Sequence, residues 1–281
     1  MTVAHELRPR PEVDFEVSPT EEEVAFFADN GYLVVDRITT DEEIDWLTEV
    51  YEAVFAPGNE GSPTAPVDRS ADHAPDGTPL LSQAFFPEVT FPELLETVAH
   101  RNARRYAAAL LQVDIERLGS WGHMIRKMPG GREASWHQDE AYWEPELEYH
   151  ALGCWLPMHD VSEEMGAMQF VPGSHKLGLL DHHAQGDPKM HLLTVDHDTS
   201  TRVVCPLKKG GATFHDKHTL HFTAVNTTDR PRLAFPVEFE VAPRYRATPA
   251  SRAWVDEWRA VNGGDPPTHH IADGRFRRIE G

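Results

Sequence analysis

Strand-favouring sequence runs from about residue 118 to about 241, and the clearest helix starts all precede it. Helices first and many short strands afterwards argue against a parallel α/β sheet, in which the two alternate. The order predicts an α+β, mainly β protein whose strands form a sandwich or barrel. A chain of 281 residues can bury one large core, so a single unit over 18–281 is expected behind a flexible arm at 1–17. Helices should occupy about 18–112, the strand-rich core about 118–241 and a tail 242–281.

Local signals fill in this outline. Ser18-Pro19-Thr20-Glu21 reads as a capping box with proline at the first helical position, opening a helix that ends near Asn30-Gly31. Tyr32 to Val35 reads as a strand. Thr40, followed by Glu43, caps a second helix with Ile44, Leu47, Val50, Tyr51 and Val54 on one face. Thr90, followed by Glu93, caps a third that runs to about Leu111. Residues 57–80 are rich in Pro, Gly, Ser and Asp and are expected as a long loop, either a lid over the site or disordered. A His-rich stretch at 180–199 interrupts the strands, and Trp254 and Trp258 at helical spacing predict a packing helix in the tail.

Of 17 histidines, only His137 stands in an H-x-D triplet, His137-Gln138-Asp139, inside the aromatic segment SWHQDEAYW. On a strand or strand end, residues i and i+2 face the same side, so imidazole and carboxylate are presented together. A second histidine completes a 2-His-1-carboxylate set, which leaves three metal positions open and is typical of non-haem Fe(II) oxygenases. Alone the triplet also fits a hydrogen-bonded surface pair. Downstream, GGATFHDKHTLHFTAVNTTDRPRLAF reads as a hairpin, with His221 on one strand and Arg232 eleven residues later on the returning one. An oxygenase that uses 2-oxoglutarate needs both: a metal ligand, and a guanidinium that can hold the distant carboxylate by two hydrogen bonds. His218, three residues before His221, faces the other way on a strand, and the residues alone do not choose between the two. His215 shares a face with His221 on an unbulged strand, beside the metal or the substrate, or in a structural role. His175 is expected to order a turn, Lys127 to be solvated before a turn rather than to approach the co-substrate or substrate, and Cys154 and Cys205 to be small core residues.

The chain resembles the phytanoyl-CoA dioxygenase family of Fe(II)/2-oxoglutarate oxygenases, from its first helix to about residue 240. The sharpest matches are WHQDEAYW, GCWLPMHDVSEEMGAMQFVPGSHK and the segment from His221 to Arg232. The resemblance implies a double-stranded β-helix (a cupin-like jelly roll) with flanking N-terminal helices. It implies His137, Asp139 and His221 as iron ligands and catalytic centre, choosing His221 over His218. It makes Arg232 the clamp for 2-oxoglutarate, Trp155 a wall of that pocket, and Gln138 a neighbour of the cofactor between the first two ligands. The cofactors implied are Fe(II), 2-oxoglutarate as co-substrate and O2. The reaction implied is hydroxylation of an unactivated C–H bond coupled to conversion of 2-oxoglutarate to succinate and CO2. Asp139 stands where related halogenases carry Gly or Ala, which favours hydroxylation over halogenation. Desaturation, epoxidation and cyclisation depend on substrate placement. Relatives of this kind often tailor natural products, so a biosynthetic hydroxylase of a small molecule is expected, with Tyr142, Trp143 and His215 on the substrate side. The acidic and aromatic stretch at 140–149 suits a neutral or cationic molecule, unless its glutamates are solvated. The rival readings are a cupin-type metalloenzyme without co-substrate, and a metal-binding sensor that would lack Arg232 or a ligand.

Charge excludes other classes. With 26 basic against 46 acidic residues the net charge is −20, which repels nucleic acid and anionic membranes and weighs slightly against a coenzyme A thioester. No run of about 18 apolar residues suggests a membrane span, and no apolar N-terminal stretch suggests a secretory signal. With two cysteines, a cytoplasmic location is expected.

Overall fold

The computed structural model describes residues 7–59, 61–69, 72–186, 192–250 and 252–264, and the backbone of 269–272 and 275–278. Residues 1–6 of the expected arm, 60, 70 and 71 of the expected loop, 187–191 of the His-rich stretch and parts of the tail lie outside the described residues.

The helices come first. α1 (Glu21–Asn30) starts at Thr20, not at Ser18, because Thr20 and Glu23 form the reciprocal box: the Thr20 hydroxyl accepts from Glu23 N–H at 3.1 Å and the Glu23 carboxylate from Thr20 N–H at 2.7 Å. Gly31 ends it with φ of 77°. β1 (Tyr32–Val35) follows, then α2 (Asp41–Val54), capped by Thr40 as expected. Its stripe of Ile44, Leu47, Val50, Tyr51 and Val54 is wholly buried. Each such side chain is worth about 1.5–3 kcal/mol of burial. The expected loop contains β2 (Val67–Asp68), which pairs with β3 (Leu81–Phe85) at the edge of a sheet.

The third helix begins later than its sequence suggests. Two 3-10 turns, Pro87–Val89 and Pro92–Glu96, occupy the expected first turns, and α3 (Val98–Leu110) starts at Thr97. Thr97 caps it locally, its hydroxyl accepting from His100 N–H at 3.1 Å, and a tertiary contact adds to this. Glu43, buried on α2, accepts from Val98 N–H at 2.7 Å and Ala99 N–H at 2.8 Å, satisfying two open donors of the helix start.

The strands are β4 (Leu118–Lys127), β5 (Ala134–His137), β6 (Leu147–Pro157), β7 (Met168–Phe170), β8 (His183–Ala184), β9 (Leu193–Thr194), β10 (Val203–Cys205), β11 (Ala212–Asp216), β12 (His221–Thr223) and β13 (Arg232–Tyr245). α4 (Ala253–Asn262) carries Trp254 and Trp258 as expected, and β14 (His269–Ala272) pairs with β15 (Arg275–Arg278). One sheet runs β1-β11-β6-β13-β4-β3-β2 and a second runs β10-β7-β12-β5. Every pairing in both is antiparallel. This is the jelly roll with flanking helices. Side chains alternate across the large sheet. Leu152, Cys154 and Leu156 of β6 and Phe235, Val237 and Phe239 of β13 meet the helices in the main core. Trp121, His123, Ile125 and Lys127 of β4, Trp155 of β6 and Pro236 and Glu238 of β13 line a cavity inside the roll.

The expected hairpin between His221 and Arg232 is not formed. β12 pairs with β5 and β7, whereas β13 pairs with β4 and β6. The polar turn is a crossing between sheets. Asn226, fully buried, fixes it by donating to Lys127 O and Arg230 O at 3.2 and 2.8 Å. Nor are His215 and His221 on one strand: a turn at 217–219 separates β11 from β12.

Candidate metal centre

β5 and β12 are neighbours, and their register sets His137 directly opposite His221. Their rings lie 4.1 Å apart between centroids. Gln138 is extended (φ −119°, ψ 138°), so Asp139, at the start of a 3-10 turn, returns to the side of His137. His137, Asp139 and His221 bring one nitrogen or oxygen each within 4.8 Å of one another, the single such cluster of three among the described residues. Nδ1 of His137 is 2.6 Å from Ser135 O and Nδ1 of His221 is 3.0 Å from Thr219 O. A carbonyl only accepts, so both Nδ1 atoms carry the proton and both Nε2 lone pairs are left for a metal. Burial, then His221, pushes His137 down to about 3, keeping it neutral. Burial works to raise Asp139, but His221 and His215 hold it well below the usual carboxylate range. Against the effect of burial, Asp139, 3.4 Å from Nε2 of His221, raises the pKa of that histidine. Two imidazoles and one carboxylate facing a common point are the donor set of a facial Fe(II) site.

The neighbours of the triad are equally specific. His215, on β11, places Nε2 2.9 Å from Asp139 Oδ2 and steadies the carboxylate from behind. Its ring fits because residue 153, opposite it on β6, is glycine: a Cβ there would stand 2.8 Å from His215 Cε1. Gln138 does not face the cofactor side. The alternation that joins His137 and Asp139 turns Gln138 away, where Nε2 donates to Gly178 O at 2.8 Å and His218 O at 2.6 Å, and Oε1 accepts from Leu180 N–H. It braces two loops. His218 stands outside the triad too, 3.0 Å from Glu140 Oε2.

Arg232 opens β13 and is 2 % exposed, with its guanidinium carbon 5.3 Å from the Trp155 ring centroid. One nitrogen donates to Gly166 O at 2.8 Å, while Nε is buried with no hydrogen-bond partner. An orphaned donor on a buried cation is what an absent carboxylate would satisfy. Lys127, opposite Arg232 in register, is buried and not solvated as its sequence context suggests. Its Nζ donates to Thr223 Oγ1 and Ala224 O, each at 2.8 Å. Burial, then Arg232, lowers its pKa well below the ordinary lysine value. Thr223 is the residue of this corner that the motifs do not single out. Thr223 lies two places after His221 on the same strand face, a period-2 signal that was available.

The cavity of about 230 Å³ is bounded by all of these, with Arg69, Gln83, Phe85, Trp121, His123, Tyr142, Trp143 and Glu238 on its remaining walls. Tyr142 and Trp143 lie side by side on that wall. The Tyr142 hydroxyl accepts from Leu193 N–H at 2.9 Å, and its ring meets His137 edge-on. Glu140 is neither solvated nor facing the cavity. It is 1 % exposed on its side chain and held by Lys217, His218 and Arg246 at 2.7–3.0 Å. The two cysteines are free and buried.

The sequence profile of phytanoyl-CoA dioxygenase (PhyH) matches residues 27–234, which include the whole triad, Trp155 and Arg232. The chain belongs to the phytanoyl-CoA dioxygenase family. A zebrafish (Danio rerio) family member, phytanoyl-CoA dioxygenase domain-containing protein 1, is 32% identical over 115 residues, 38% of this chain and 40% of that protein. The chain thus matches well under half the length of that relative. An ectoine dioxygenase of Bordetella parapertussis is 26% identical over 234 residues, 75% of this chain and 72% of the relative. The crystal structure of EvdO2 from Micromonospora carbonacea var. aurantiaca, complexed with 2-oxoglutarate, superposes with a TM-score of 0.73 at 32% identity, covering 85% of this chain and 99% of that one. No helix among the described residues of this dioxygenase-family protein is long and apolar enough to cross a membrane.

Proposed function

We propose that the protein is a non-haem Fe(II)- and 2-oxoglutarate-dependent dioxygenase that hydroxylates an unactivated C–H bond of a small molecule in secondary metabolism. One observation carries this reading: the two-histidine, one-carboxylate cluster shares a cavity with a buried guanidinium whose Nε lacks a partner. Iron would be held by His137, Asp139 and His221. The distant carboxylate of 2-oxoglutarate would be held by Arg232, with Thr223 and Lys127 beside it and Trp155 as the flat wall. Together these cofactors, when bound, supply O2 activation and oxygen insertion.

The chain's own residues do the positioning. Ser135 and Thr219 fix the ring orientations of the two histidines, and His215 fixes the carboxylate. Arg232 and Lys127 draw the co-substrate to one end, leaving the aromatic side for the substrate. Asp139 keeps a carboxylate where a halogenase would need space, which supports hydroxylation. Two buried, unbridged thiols support a reducing cytoplasm.

The direct test is anaerobic titration of 2-oxoglutarate into the Fe(II)-loaded protein. A weak visible charge-transfer band is expected. No band with iron shown to be bound would overturn the reading.

A further inference from the structure

Along β13 the inward residues pass from Arg232 to Pro236 and then Glu238, about 20 Å of strand from one charge to the other. Glu238 lines the cavity, is 5 % exposed, and its Oε2 is buried without a hydrogen-bond partner. Gly153 makes room for it: a Cβ there would stand 3.2 Å from Glu238 Oε1 and 2.8 Å from the ring of His215. The carboxyl therefore sits one ring away from Asp139, on the side opposite the co-substrate cations. A buried carboxyl of this kind has two stable outcomes, a proton or a cationic partner. Among the described residues Glu238 forms no salt bridge, and the charged groups that act on it, Asp139 and Glu240, are both acidic. Burial, with these two acids, raises its pKa well above the ordinary range. Trp121 and Trp143 line the same cavity and offer aromatic faces, which attract organic cations.

We propose that Glu238 is a specificity-determining residue that receives a cationic nitrogen of the substrate, a protonated amine or a quaternary ammonium, and so sets which carbon faces the metal. The inference rests on the oxygenase reading for its metal and co-substrate. Arg232 and Glu238 then sort the two ligands by charge, the dianion to one end and the cation to the other.

The test uses isosteric pairs that differ in charge: benzylammonium against benzyl alcohol, and choline against 3,3-dimethylbutan-1-ol. Each is titrated by calorimetry, without O2, into the Fe(II)- and 2-oxoglutarate-loaded protein. The cation of each pair is expected to bind about tenfold or more tighter than its neutral partner. Glu238→Gln is expected to erase that preference, leave the alcohols unchanged and keep the 2-oxoglutarate band. Glu238→Met should behave alike and guards against a local packing effect. Failure of both cations to bind wild type, or a preference that survives in Glu238→Gln, would overturn the proposal. A missing charge-transfer band in wild type is a separate outcome: it sinks the oxygenase reading, while the calorimetric preference still reports on Glu238.

Discussion

At the scale of single residues, the candidate site is a set of pairings in which each side chain has one free atom pointing inward. His137→Ala, Asp139→Ala and His221→Ala are each expected to abolish substrate-dependent succinate formation while the circular dichroism spectrum is kept. His218→Ala should retain turnover, since His218 is committed to Glu140. Loss of turnover in His218→Ala with turnover kept in His221→Ala would mean that the wrong histidine has been assigned. Arg232→Lys replaces a two-pronged donor with a single ammonium. Losing one charge-assisted hydrogen bond, about 1.5–3 kcal/mol, should raise the 2-oxoglutarate requirement roughly 10- to 150-fold with little change in kcat. Unchanged co-substrate kinetics would remove Arg232 from the site. The pairing of His137 with Asp139 could be read from a local motif, whereas the choice of His221 over His218 and the role of Arg232 came from the family resemblance. The environment of Lys127 was not legible: a lysine before a turn reads as solvated, and only the crossing strand at Thr223 shows it buried.

At the scale of elements, register does what no single residue can. β5 against β12 sets His137 opposite His221, and β11 against β6 sets His215 over Gly153. Gly153→Ala inserts a methyl 2.8 Å from the His215 ring, so the ring must shift and Asp139 loses its brace. Iron affinity should fall roughly 10- to 100-fold by competition with a fluorescent chelator, with secondary structure intact. Unchanged affinity would show that His215 does not steady the ligand. The helices depend on each other in the same way. Glu43→Ala removes the acceptor of Val98 and Ala99 N–H and should cost about 2–4 kcal/mol in urea unfolding. A loss below about 0.5 kcal/mol, the level of an ordinary surface change, would remove Glu43 as the cap.

At the scale of the whole molecule, the roll encloses more carboxyls than it pairs. Burial pushes Glu240 up to about 8 and Glu88 up to about 7. Each holds its proton more tightly folded than unfolded, so its contribution is fully present below about pH 4.5 and is lost as pH rises through 7 and 8. The iron-free protein should therefore lose Tm between about pH 4.5 and 8, and Glu240→Gln should flatten that slope. An equal slope in the variant would show that Glu240 ionises freely in the fold. The tail takes part as well: buried Arg252, just before α4, donates to Ala141 O and Trp143 O and holds the turn that carries Tyr142 and Trp143. The sequence by itself determined the order of helices and strands, the apolar stripe of α2 and the pairing of His137 with Asp139, because periodicity and short motifs act over a few residues. Only the tertiary structure decided that the run from Arg232 crosses to the other sheet, that Glu43 reaches the start of α3, that Gln138 turns away from the cavity, and that Glu238 forms no salt bridge among the described residues. Each depends on which distant backbone comes to lie alongside, and that is set by closure of the two sheets around one cavity.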